Sequence, residues 1–227
     1  ADIVYVNLGG QEVYRIKNKN IYKTYIQTSR SYTSPSKGNL GWKEVPMPKI
    51  IQTRPSSNED VSSEKYQKND YLIAARTGYF NQAKNHGILK LYSEGGHEIS
   101  SEEIRQIPDL DPTLVKAICI QESHAALTSS DIMTSNNPGD WGDGKLKSAY
   151  GMKKKEKMSV TNSLYYGIRI LATKGFKGGV KYDKKTGETS YEFKGWGNAT
   201  NNFNGGGVRN YQNDVETMVR ESKPRKR

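Results

Sequence analysis

The segment that most restricts what this chain can fold into is the apolar run from Asp111 to Ser123. Asp111 is a good N-cap residue, and Pro112 stands at the first helical position, where a missing N–H costs nothing. Leu114, Val115 and Ile118 then recur at helical spacing, which predicts a helix with one apolar face. Glu122 falls on that same face, four residues after Ile118. A charge there is costly unless it is paired, protonated or at the edge of a cleft. Desolvation raises a carboxyl pKa, and a proton-holding carboxyl in a cleft is what a general acid needs near neutral pH. The other reading of Glu122 is a helix-end glutamate turned to solvent.

Around that helix the pattern is mixed. Ile3, Tyr5 and, after a Gly9-Gly10 turn, Val13, Tyr14 and Ile16 suggest a hairpin, and Ile21 to Ile26 a further strand. Residues 29–49 have little periodicity. Residues 54–70 are polar and nearly devoid of large aliphatics, so they read as a linker or mobile loop. Tyr71 to Tyr92 fits a short helix or strands equally well. A second helix starts near Thr161–Ser163, runs through Leu164, Ile168, Leu171 and Ala172, and stops at Lys174-Gly175. Residues 180–193 alternate around Asp183–Glu188, a β-hairpin signal. A last helix near Val208 places Val208, Tyr211, Val215, Met218 and Val219 on one face. The expected class is α+β. A small β-rich region with a polar linker spans residues 1–70, and a mainly helical domain with a hairpin insertion spans residues 71–227.

Composition narrows the function. The 227 residues carry a formal net charge of +11, which attracts polyanions such as nucleic acid, anionic lipid surfaces or bacterial wall. No zinc finger, homeodomain-like helix or RNA-stacking motif is visible, so no specific nucleic-acid partner is expected. Lys153-Lys154-Lys155 and Lys223-Pro224-Arg225-Lys226-Arg227 concentrate the positive charge, although such runs also serve as plain solvated surface. One cysteine, Cys119, excludes an intramolecular disulfide and a multi-cysteine zinc site. His86, His97 and His124 lack metal-site spacing, and no cofactor or metal is expected. No run of about 18 apolar residues exists to span a membrane. The chain starts at Ala1 with no signal-peptide pattern, so it reads as processed or shortened.

Further carboxylates follow Glu122. Asp131, Asp140 and Asp143 lie in a polar stretch that includes Asn136-Asn137-Pro138-Gly139-Asp140-Trp141-Gly142-Asp143-Gly144, and Glu156 follows it. Glycosidic hydrolysis uses an acid for the leaving oxygen and usually a second carboxylate to steer water or stabilise the cation. Calcium binding by Asp140 and Asp143 is a weaker alternative, because their spacing is not that of an EF-hand loop. An Asx-rich turn is the plain structural one.

Five motifs in order resemble goose-type lysozymes and soluble lytic transglycosylases, glycoside hydrolase family 23, over roughly residues 105–222. Gln121-Glu122-Ser123-His124-Ala125 resembles the catalytic glutamate motif, and Trp141-Gly142-Asp143 the segment with the second acid. Tyr150-Gly151-Met152 resembles the start of the Gly-Leu-Met-Gln loop, and Gly167-Ile168-Arg169-Ile170-Leu171 the helix after it. Phe203-Asn204-Gly205-Gly206 and Val208-Arg209-Asn210-Tyr211 resemble the Tyr-Asn-Ala-Gly substrate motif and its sequel. The chain departs from the pattern at Met152-Lys153-Lys154-Lys155, which replaces the family glutamine, and at Phe203, which replaces a tyrosine. Glu156 falls where goose-type enzymes keep a third acid. Asp131, nine residues after Glu122, competes for the role of second carboxylate by a spacing similar to that of phage-type lysozymes.

The resemblance implies a lysozyme-like C-terminal half and cleavage of the β-1,4 bond between N-acetylmuramic acid and N-acetylglucosamine in peptidoglycan. Glu122 is then the acid, with Asp143 and Glu156 as supporting catalytic carboxylates. Ser123, Tyr150, Gly151, Met152, Phe203, Asn204 and Tyr211 are the expected substrate contacts. Hydrolysis and transglycosylation both remain open. The implied setting is a secreted antibacterial or wall-remodelling enzyme, or one delivered to the periplasm or wall. If the chain is a toxin, an immunity or inhibitor protein is its expected partner. The competing function is a lysozyme-like protein that binds wall while cutting it weakly or not at all.

Overall fold

The chain forms an antiparallel sheet backed by a helical body of α+β class. A computed structural model describes residues 3–8, 12–18, 21–27, 42–136 and 141–226. Strands β1 (Ile3–Asn7), β2 (Glu12–Asn18), β3 (Ile21–Gln27) and β4 (Trp42–Val45) pair in the order β3-β2-β1-β4. The expected hairpin registers Val4 against Ile16 and Val6 against Tyr14. Its Gly9-Gly10 turn lies outside the described residues. Strand alternation buries Val4 and Val6 on one face, against α1 (Asp70–Asn85).

Helix α1 settles the stretch that fitted helix and strand equally well. Its sequence, DYLIAARTGYFNQAKN, buries Asp70, Arg76, Thr77 and Lys84 along with its apolar residues, so no clean one-sided stripe announces it. Such a helix is stable only when enclosed. Here the sheet covers one side, and α3 (Pro112–Ser123) and α5 (Val160–Lys174) cover others. A Cβ on Gly78 would sit 2.2 Å from Val45 Cγ1, so glycine is what lets β4 reach the helix. Val4, Val6, Leu8 and Val45 thereby join the helices in one buried cluster across the expected 70/71 boundary.

The polar stretch 54–70 is not a featureless linker. It forms the short pair β5 (Thr53–Arg54) and β6 (Glu59–Asp60), then a single 3-10 turn at Glu64–Tyr66. Val61 and Tyr66 are buried, and the Tyr66 hydroxyl donates to Glu59. Val61 and Tyr66 anchor the segment, and its polar side chains bond both within it, as in Ser62 N to Asp60 Oδ1 at 2.9 Å, and to distant partners, as in Asp70 to Lys116 Nζ at 2.8 Å.

The capped helix occurs as read, with Asp111 accepting from Thr113 N at 2.8 Å. Short helices α2 (Ser101–Arg105) and α4 (Gly144–Ala149) have too few turns to show a period in sequence. Strands β7 (Val180–Tyr182) and β8 (Thr189–Tyr191) form the expected hairpin, followed by α6 (Trp196–Phe203) and α7 (Tyr211–Arg220). The last helix starts later than expected. Asn210 takes a left-handed φ of 63° as its N-cap, and Val208 is left outside and exposed. Tyr211, Val215 and Met218 form the buried face of α7, against α3. Among the described residues, no helix is long and apolar enough to cross a membrane.

Candidate active site

Glu122 occupies the last turn of α3, partly buried at the edge of a cleft of about 190 Å³. The cleft is lined by Glu122, Thr134, Asp143, Lys174, Phe203 and Asn204 among others. The Tyr211 hydroxyl, at the start of α7, donates to Glu122 Oε1 at 2.7 Å, and Thr134 also hydrogen-bonds the carboxyl. Burial pushes the Glu122 pKa above its ordinary value and is the largest effect. The bonds from Tyr211 and Thr134 act in the opposite direction, and the nearby Asp131 charge adds to the rise. Burial and the adjacent carboxylate push the Tyr211 pKa up as well, so its hydroxyl keeps its proton and remains a donor.

The chain immediately after Glu122 is forced into an unusual path. His124, Ala125 and Ala126 all have positive φ, at 51°, 56° and 73°. Three non-glycine residues in the left-handed region cost of the order of 1 kcal/mol each and need a brace. Ser123 supplies it, fully buried, accepting from Ala126 N at 2.9 Å and donating to Ile132 O at 2.8 Å. On the far side His124 lies between Arg54 and Glu59, with Arg54 Nη1 3.0 Å from Nε2 and Glu59 Oε2 3.1 Å from Nδ1. The turn sends residues 131–136 back past the end of α3, which puts Thr134 beside Glu122. Met133 then packs on α5 where Gly167 leaves room; a Cβ there would lie 2.6 Å from the Met133 sulfur.

The second carboxylates have separate fates. Asp143 is in the cleft, but Lys174 Nζ meets both of its oxygens at 3.0 and 2.9 Å and also reaches Glu94 at 3.0 Å. Burial alone would lower the Lys174 pKa, yet the two carboxylates together outweigh it and the pKa is raised. Asp131 accepts four bonds, from Ser135 N, Ser135 Oγ, Asn136 N and Ser163 Oγ, and so organises its own loop. Glu156 lines a neighbouring cavity, and its Oε2 accepts from Lys153 N at 2.9 Å. Asp140 lies outside the described residues, and among those described no cluster of metal-ligating side chains exists.

Of the expected substrate contacts, Phe203 and Asn204 line the cleft and Tyr211 holds the acid. Ser123 is a buried brace instead. The Tyr150 hydroxyl accepts from Tyr92 N at 3.1 Å and bonds Thr173 Oγ1 at 2.9 Å inside the core, where burial pushes its pKa up to about 12. Met152 is buried and Gly151 turns the chain at φ 80°; neither lines this cleft. Sequence reading passed over Thr134, Lys147 and Lys174. Lys174 shares a helix face with Ile170, four residues earlier, and both line the cleft. Thr134 carries no local signal, since the fold alone brings it to Glu122. Compared with protein-family models, curated proteins and solved structures, the chain matches none.

Proposed function

We propose that this chain cleaves the glycan of peptidoglycan, with a lysozyme-like C-terminal half and Glu122 as the catalytic acid. The observation that carries the reading is a partly buried carboxyl of raised pKa, set in a polar cleft and held by Tyr211 and Thr134. The five sequence motifs supply the substrate class.

Glu122 gives its proton to the glycosidic oxygen as the bond from that oxygen to the muramic C1 breaks, leaving an oxocarbenium-like centre. The resulting Glu122 carboxylate then takes the proton of the attacking group. Two nucleophiles fit: a water, which gives a reducing end, or the 6-hydroxyl of the muramic residue itself, which gives an anhydro end. Among the described residues, Asp143 is paired with Lys174, Asp131 is committed to four hydrogen bonds and Glu156 lines another cavity. That arrangement favours the single-carboxyl route and the anhydro product. The engagement of Asp143 equally suits a wall-binding protein that does not cut.

The test is mass spectrometry of soluble fragments from purified wall, with wild type and Glu122→Gln side by side. Anhydro ends from wild type and no fragments from the variant support the proposal. Reducing ends would assign hydrolysis, and wall binding without fragments from wild type would assign the non-cutting reading.

A further inference from the structure

A second cavity of about 600 Å³ adjoins the Glu122 cleft and shares Thr134 with it. It is lined by Ser129, Ser130, Asn136 and the loop Lys155–Met158, and by Asp131. Its lining residues are polar apart from Met158. Formal charges balance, two lysines against two acids, but the acids are committed and the lysines are not. Three donors converge on Asp131 Oδ1 and one on Oδ2, while Glu156 is turned back onto the Lys153 amide. Lys155 and Lys157 are exposed, and among the described residues neither is in an ion pair.

The loop that presents them is built rather than slack. Asn136 Nδ2 donates to the carbonyls of Glu156 at 2.9 Å and Lys153 at 3.3 Å, and Ser130 Oγ donates to Met158 O at 2.8 Å. Lys155 itself holds a left-handed φ of 61°. Met158 is buried beneath and fixes the end of the loop. The cavity therefore offers two ammonium groups on a fixed frame, a short step along the surface from the proton donor.

We infer that this cavity is an accessory site for the carboxylates of a peptide attached to the glycan strand being cut, with Lys155 and Lys157 as the recognising cations. The inference rests on the proposed glycan-cleaving function. The hydroxyls and N-acetyl groups of the sugars offer these ammonium groups only neutral acceptors, whereas a peptide substituent brings free carboxylates to a point beside the scissile bond. Charge pairing of this kind sets selectivity more than raw affinity.

The experiment measures binding by the Glu122→Gln protein to soluble peptide-bearing wall fragments, with their peptide carboxylates free or capped as neutral methyl amides. Fragments with free carboxylates are expected to bind about tenfold or more tightly than capped ones at low salt. Adding Lys155→Glu and Lys157→Glu together should bring that ratio close to one, while Lys155→Arg with Lys157→Arg should preserve it. Lys184→Glu with Lys185→Glu, an equal charge change on the β7–β8 turn, should also preserve it. A ratio near one in the parent, or one that survives the double glutamate change, overturns the inference while leaving Glu122 cleavage standing. Failure to bind either fragment overturns the glycan-cleaving reading as well.

Discussion

The Tyr211 hydroxyl donates a 2.7 Å hydrogen bond to the Glu122 carboxyl, joining residues 89 positions apart in the sequence. The bond stabilises the ionised form, so it offsets part of the rise that burial imposes. Tyr211 thus sets both where the acid points and how tightly it holds its proton.

Tyr211→Phe should raise the Glu122 pKa further. An acid must be protonated to act, so activity is lost as pH rises through that pKa. The alkaline limb of the pH–rate profile for wall cleavage should therefore move to higher pH in the variant, with a lower maximum from lost orientation. A limb that moves to lower pH would contradict the placement of this bond.

Glu122→Gln should be more stable than wild type at neutral pH. The folded state binds the Glu122 proton more tightly than the unfolded chain, so stability falls as pH rises from the ordinary glutamate value through the raised one. The amide carries no such cost. Thermal melts in a pH series should show the variant's advantage at neutral pH, shrinking as pH falls through the raised value and gone below the ordinary glutamate range.

Asp143→Asn and Lys174→Met should not be additive. Each removes the same ion pair, and Asp143 is more than a third exposed, so solvent screening limits their coupling to about 1 kcal/mol. A double-mutant cycle on melting and on cleavage tests this. If Asp143 acts on water independently of Lys174, its loss will slow cleavage severely even where Lys174 is already replaced.

Asp131→Ala should act through the loop. Four donors lose their acceptor, and burying them unpaired costs about 1–3 kcal/mol for each group that no water reaches. The melting temperature should drop, and cleavage should fall with it because Thr134 sits on the same loop. A variant with wild-type stability would remove the structural role assigned to Asp131.

Gly78→Ala tests the seam between sheet and helices. The added methyl meets Val45 at 2.2 Å, and overpacking of this kind costs about 1–3 kcal/mol. Adding Val45→Ala should recover much of the loss by making room, which separates a steric effect from one of helix propensity.

The sequence by itself determined the elements whose physics is local. The capped helix at Pro112–Ser123, the hairpin around Asp183–Glu188 and the helix from Val160 to Lys174 each carry their cap, turn or period within a few residues. It also marked Glu122, because a carboxylate on an apolar stripe is a local contradiction. What only the tertiary structure decided depends on distant partners. Helix α1 shows no clean period because sheet and helices enclose its Asp70, Arg76, Thr77 and Lys84 along with its apolar residues. Residues 54–70 gain order from the buried Val61, Tyr66 and Asp70 and from the contact with His124. Ser123 and Tyr150 look like site residues beside their motifs, yet their hydroxyls are spent inside the core. Thr134 and Lys174 look like ordinary surface, yet three left-handed residues and a helix end carry them to the acid. Chemistry of this kind is a property of distances, and a string of residues fixes distances only over the few positions that one helix turn or one hairpin spans.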